Sequence, residues 1–107
     1  MPHFGCGFLR EALIVGDQCG NVCVDTSSSN SWANTMPTPP TLADVFRAAL
    51  RVFGAERILF GTDSTFLPRG WRRDISDAQM QVLKALEVTT QQARLIFGGN
   101  LARMLRL

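Results

Sequence analysis

Three side chains suited to acid–base or metal chemistry stand where predicted β-strands end. His3 precedes the first predicted helix, Asp25 follows the apolar run 22–24, and Asp63 follows the apolar run 58–60. In parallel α/β proteins, active sites lie at the carboxyl ends of the strands. We therefore take these three residues as the candidates for a functional site.

Each candidate also has a purely structural interpretation. Asp25 fits a loop acid that accepts hydrogen bonds from nearby backbone, and we favour that interpretation. For Asp63 the functional and the structural interpretations have about equal support, because Gly61 lets the backbone approach closely beside it. His3 lies next to the first residue and fits a frayed terminus. A serine hydrolase is disfavoured, because the serines at 27–29 have only His3 as a basic partner.

Composition excludes several classes of protein. The 107 residues are 46% hydrophobic and 19% charged with a net charge of +2, which predicts a folded chain without a nucleic-acid-binding surface. No apolar run reaches the roughly 20 residues of a membrane span, and no signal peptide is visible. The three cysteines lack a Cys-x-x-Cys pair, so we expect reduced thiols, a cytoplasmic protein and no cysteine-based zinc site.

Hydrophobic periodicity predicts helices that alternate with short strands. The first helix should bury Phe8, Leu9, Ala12 and Leu13, and Thr41 and Gly54 should bound the second. Thr89 and Gln92 form a capping box for a short helix, and Asn100 is placed to cap the last one. The predicted order is helix 7–18, strand 22–24, loop 26–40, helix 42–53, strand 58–60, loop 64–73, helix 74–86, and two helices after Thr89 and Asn100.

This alternation predicts βα units and a parallel sheet, that is, an α/β fold in one domain over residues 1–107. Four segments, in order, also resemble the last third of the amidohydrolase-related metal-dependent hydrolases. The branch they resemble is the one containing aminocarboxymuconate-semialdehyde decarboxylase. The segments are Pro2-His3-Phe4-Gly5, residues 21–27 (Asn-Val-Cys-Val-Asp-Thr-Ser), residues 57–64 (Arg-Ile-Leu-Phe-Gly-Thr-Asp-Ser) and residues 98–103 (Gly-Gly-Asn-Leu-Ala-Arg).

The resemblance implies a partial (β/α) barrel: the last two to three βα units of a TIM-like barrel plus C-terminal helices. It implies a divalent metal, usually zinc, in the complete barrel. His3 would match the histidine that ends the sixth strand, close to the metal-bound water. Asp63 would match the aspartate that ends the eighth strand, a metal ligand or proton carrier.

Departures from the family pattern limit what the chain is expected to do alone. His3 is the only histidine, whereas a catalytic zinc site needs about three protein ligands. Two strands and a stub cannot close an eight-stranded barrel, so apolar faces should stay exposed. We therefore expect a truncated barrel unit that holds no metal, has no catalysis of its own and self-associates.

Two alternatives stay open. The chain could be one part of a split metal-dependent hydrolase, with His3 and Asp63 catalytic once a complementary barrel chain supplies the other ligands. It could instead be a small binding module that uses loops 26–40 and 64–73, with Trp32, Trp71 and Arg69 as contacts. Exposed tryptophans would favour the binding module, although tryptophan is more often buried.

Overall fold

The computed structural model describes residues 1–64 and 70–107. Within these ranges the chain forms helices around a small parallel sheet, which is an α/β arrangement as predicted. The elements are α1 (Leu9–Gln18), β1 (Val24–Asp25), α2 (Leu42–Phe53), β2 (Ile58–Leu59), α3 (Arg73–Ala85), α4 (Thr90–Arg94) and α5 (Asn100–Leu105). Short 3₁₀ segments cover His3–Phe8, Ser31–Thr35 and Ala55–Arg57, and a π-helical segment covers Leu95–Gly99.

The sheet pairs β1 with β2 in parallel, with Val24 opposite Ile58 and Asp25 opposite Leu59. The opposite edge of β1 is occupied by the backbone of Met1. The Met1 nitrogen donates to the Cys23 carbonyl at 2.7 Å, and the Asp25 nitrogen donates to the Met1 carbonyl at 2.9 Å. Backbone groups alternate sides along a strand, so Met1, β1 and β2 lie side by side in that order.

Both strands differ at their ends from the prediction. β1 begins two residues later than Val22, because the Val22 nitrogen donates to the Cys19 carbonyl and closes a turn. β2 ends one residue before Phe60, whose nitrogen donates to the Ile96 carbonyl in the π-helical segment. Each continuous apolar run marked the position of a strand, but only Val24 of the first run and Ile58 of the second are buried, and the runs did not fix which residues pair.

The predicted bounds of α2 are confirmed at both ends. Thr41 accepts a hydrogen bond from the Asp44 nitrogen, and Asp44 accepts one from the Thr41 nitrogen, so the two form a capping box. Gly54 ends the helix with φ 63°, a value in the left-handed region that favours glycine. The capping box of Thr89 and Gln92 at the start of α4 is also confirmed.

The apolar core lies between the sheet and the helices. Phe4 and Phe46 meet edge to face there, with ring centroids 5.0 Å apart. Arg57 ties the end of α1 to this core, because its Nη1 donates to the carbonyls of Gly16 and Cys19 at 2.9 and 3.1 Å. The buried members of the core are Phe4, Val24, Val45, Phe46, Ala49, Phe53, Ala55, Ile58, Leu83 and Ile96.

Three predictions about individual positions are wrong. Phe8 is 71% exposed, because the 3₁₀ segment before α1 turns its side chain away from the core. Asn100 does not cap α5 but lies fully buried, with its amide donating to the carbonyls of Ala55 and Ile58 at 2.7 and 2.9 Å. The loop 26–40 contains the helical turn Ser31–Thr35.

Apolar side chains of α5 face solvent, as the sequence predicts for an uncovered helix face. Leu101, Met104 and Leu105 recur at helical spacing and are each about half exposed or more. Phe8 and Val15 add a second exposed apolar area, beside α1. Across 1–64 and 70–107, none of the helices combines the length and apolar character needed to cross a bilayer.

Candidate functional site

His3 is held in place by the turn that follows β1. Its Nδ1 lies 2.9 Å from both the carbonyl oxygen and the side-chain Oγ of Ser27. Its backbone nitrogen donates to Asp25 Oδ1 at 3.0 Å. His3 has φ 55°, a strained value for a residue with a side chain, and these contacts maintain it. The interpretation of His3 as part of a frayed terminus is therefore wrong.

Asp25 is the acid around which this turn is built. Its Oδ1 accepts from the backbone nitrogens of His3 and Ser27, each at 3.0 Å, and from the Ser27 hydroxyl. These contacts agree with the interpretation of Asp25 as an acid that accepts hydrogen bonds from backbone, although Asp25 is the last residue of β1 and not part of the loop. The same Oδ1 atom of Asp25 also links the segment before α1 to the end of β1.

Asp63 lies beyond the end of β2 and is half-buried, with φ 58°. It follows Gly61, which packs directly on the Ser27 turn. A Cβ atom built on Gly61 would stand 2.9 Å from the Ser27 Cβ, which is closer than real side chains approach. Gly61 thus permits the close approach that the sequence analysis inferred. The structure joins His3 to Asp25 and Ser27 by hydrogen bonds, and it places Asp63 two residues past the glycine at that turn.

A buried amide clamps the carboxyl ends of the two strands. Gln79 of α3 is 1% exposed, and its Oε1 accepts from the Thr26 hydroxyl at 2.6 Å. Its Nε2 donates to the carbonyls of Thr26 and Gly61 at 2.9 and 3.3 Å. The Thr26 hydroxyl in turn accepts from the Gly61 nitrogen at 3.2 Å. This clamp sets the separation between the turns that carry Ser27 and Asp63.

The order of groups at the turn does not match a serine nucleophile. In a serine hydrolase the histidine stands between the carboxylate and the serine, and it accepts the hydroxyl proton. Here the Ser27 hydroxyl stands between Asp25 and His3, and its proton goes to Asp25. The structure therefore gives no support to Ser27 as a nucleophile.

The described residues do not by themselves fit a complete zinc site. Among residues 1–64 and 70–107, no three side chains of His, Cys, Asp or Glu come together in a geometry that could hold a metal ion. The three cysteines are free thiols, of which Cys19 is exposed. The described part of the chain therefore brings fewer such side chains together than the three protein ligands of a catalytic zinc.

The loop residues considered as binding contacts differ in exposure. Trp71 is 64% exposed and lies 6.0 Å from Phe60, ring centroid to ring centroid. Trp32 is half-buried and packs against the core, and its indole nitrogen is a buried donor without a partner in the described part of the chain. Arg69 lies outside the described residues, as does the rest of the range 65–69, which is half of the predicted loop 64–73.

Sequence reasoning missed the role of Ser27. It treated the serines at 27–29 as possible nucleophiles only, and the link from Asp25 to His3 through Ser27 went unnoticed. The spacing Asp25-Thr26-Ser27 offered a signal. An aspartate often accepts from the backbone nitrogen two residues later, which brings the intervening side chains into a tight turn.

Comparisons with known proteins identify the family of the chain. A search of curated proteins found no match, and a search of solved structures found none either. The family model described as Amidohydrolase matches residues 1–107, the whole chain. On that match, the chain belongs to the amidohydrolase family.

Proposed function

We propose that residues 1–107 form an amidohydrolase-family unit that presents part of an active site but does not catalyse hydrolysis or decarboxylation alone. The unit corresponds in this proposal to the last two to three βα units of a TIM-like barrel. The parallel order of Met1, β1 and β2 supports it, as do the helices α1 and α2 that connect them.

One observation carries the proposal: the site contains a single imidazole, and one of its nitrogens is already used. Nδ1 of His3 is hydrogen-bonded to Ser27, which leaves the Nε2 nitrogen to contact a metal or a substrate. Asp25 Oδ1 is committed to three hydrogen-bond donors. By the family resemblance, His3 and Asp63 would supply two ligands, and zinc in hydrolases takes about three from protein.

A zinc titration of the purified, metal-stripped chain by calorimetry tests this directly. The controls are Asp63→Ala and His3→Ala, and Cys19→Ser accounts for zinc held by the exposed thiol. We expect no stoichiometric binding beyond that of the two site variants. Stoichiometric binding that both variants abolish would overturn the proposal, as would metal-dependent turnover of an amide or carboxylate substrate by the isolated chain.

A second candidate is a split metal-dependent hydrolase, completed by another barrel chain or by a second copy. The apolar side chains exposed on α5 and beside α1 favour it, because such areas commonly mark protein interfaces. Leu105, the last residue of α5, is 60% exposed, and Leu107, two residues after it, is 92% exposed. Phe8, Ile14 and Val15 lie beside α1.

Sedimentation of the wild-type chain and of Leu105→Lys separates these candidates. Self-association that the lysine weakens, together with zinc binding that rises with protein concentration, would favour a site completed between copies. Lys84→Glu, an exposed charge change on α3, serves as the control for altered surface charge. A monomer at all concentrations would contradict completion by a second copy and leave another chain as the source of the ligands.

A further inference from the structure

The imidazole of His3 faces two oxygen atoms of one residue. The Ser27 carbonyl oxygen and the Ser27 Oγ each lie 2.9 Å from Nδ1. A carbonyl oxygen only accepts hydrogen bonds, so the Nδ1 atom beside it must carry a proton. In the part of the chain that the structure describes, the hydrogen bonds of this ring run through Nδ1.

Asp25 decides the direction of the second contact. A hydroxyl has one proton to donate, and the Ser27 hydroxyl donates it to Asp25 Oδ1. The Ser27 Oγ therefore turns a lone pair toward His3 and becomes a second acceptor for the Nδ1 proton. If the hydroxyl pointed the other way, Nδ1 would have to be unprotonated, and it would then face the Ser27 carbonyl lone pairs without a proton between them.

We propose that Asp25 and Ser27 are positioning residues that fix His3 as its Nδ1–H tautomer and leave the lone pair on Nε2. Nε2 is then the ring atom that accepts a hydrogen bond or a proton from a bound molecule. Outer hydrogen bonds of this kind orient histidines in metal and catalytic sites. Only the use of Nε2 rests on the proposed function, since the tautomer is a property of the chain itself.

The single histidine makes the tautomer directly measurable. A long-range ¹H–¹⁵N correlation spectrum of the uniformly ¹⁵N-labelled, metal-free chain is recorded where the imidazole is neutral, and its imidazole region contains the two ring nitrogens of His3 alone. We expect Nδ1 to give the protonated, pyrrole-type signal and Nε2 the pyridine-type signal. The reverse assignment in the wild-type chain would overturn the proposal without any variant.

Variants then test whether Asp25 and Ser27 cause this preference. Ser27→Ala leaves the carbonyl acceptor but removes the hydroxyl, and we expect the Nε2–H tautomer to gain about five-fold, the effect of one ordinary hydrogen bond. Asp25→Ala should shift the tautomers the same way, and Asp25→Asn should restore the wild-type ratio because its Oδ1 still accepts. Ser28→Ala is the matched control, since the Ser28 hydroxyl accepts from the Asn30 nitrogen and not from His3.

These outcomes separate the inference from the proposed function. The spectra need neither metal nor substrate, so a failed zinc titration leaves the tautomer result unchanged. A folded Ser27→Ala chain and a folded Asp25→Ala chain that both keep the wild-type tautomer ratio would show that the turn is structural only, and the proposal would be wrong.

Discussion

The buried amide of Gln79 should be worth several times more than an exposed glutamine on the same helix. Gln79→Met keeps the size and helix propensity of the side chain but removes its contacts with Thr26 and Gly61. Three hydrogen bonds are lost, at 2.6, 2.9 and 3.3 Å. At about 1 kcal/mol net each, the expected loss of unfolding free energy is about 3 kcal/mol.

Urea unfolding followed by circular dichroism measures this loss, with the slope of free energy against urea expected to stay constant. Gln81→Met is the matched control. Gln81 lies on α3 as well but is exposed, so its replacement should change stability by less than about 0.5 kcal/mol. Equal effects of the two substitutions would refute the clamp.

A double variant makes the test sharper. Thr26→Val removes the hydroxyl that donates to Gln79 Oε1, and this hydroxyl also accepts from the Gly61 nitrogen. The Thr26–Gln79 bond is lost in either single variant, so the double variant should cost about 1 kcal/mol less than the sum of the two. Strict additivity would mean that Gln79 and Thr26 do not interact in solution.

A helix cap, a close packing contact and an exposed ion pair supply three more tests. Thr41→Ala should cost about 1 kcal/mol in urea unfolding, because it removes the cap of α2. Gly16→Ala should cost about 1–3 kcal/mol, since its Cβ would meet the Phe53 ring at 2.2 Å. The Arg72 hydrogen bond lowers the pKa of Asp74 to about 2, so the pair stabilises the fold above the ordinary pKa of 3.8 and stops doing so as pH falls through about 2. Asp74→Asn should remove that acid dependence, and added salt should weaken it.

Elements with strong local signals could be predicted to the residue. α2 combines apolar positions at helical spacing with a capping box at Thr41 and a glycine at position 54, and its bounds came out as predicted. The parallel direction of the strands also followed from the alternation of helix and strand. The capping box, the glycine at position 54 and the alternation of helix and strand are all local patterns in the sequence. They could therefore be recognised without the structure.

Buried polar residues could not be predicted in the same way. Periodicity assigns a polar residue to the surface, yet Gln79 and Asn100 are both buried because their amides satisfy carbonyls from distant segments. Gln79 lies four residues from both Ile75 and Leu83, so its place on the inner face of α3 was visible. The hydrogen bond of Gln79 with Thr26 could not be predicted, because the two residues are 53 positions apart in the chain.

The site itself depends on contacts that bring distant segments together. His3 and Asp25 are 22 residues apart, and α1 must return the chain before they can meet. That return needs Gly16, which lies against the Phe53 ring of α2, and Arg57, which donates to the Gly16 carbonyl at 2.9 Å. We expect a larger residue at position 16 to push α1 away from α2 and, through the segment before α1, to disturb the contact of His3 with Asp25. The ring signals of His3 should therefore report on a substitution made at the far end of the helix.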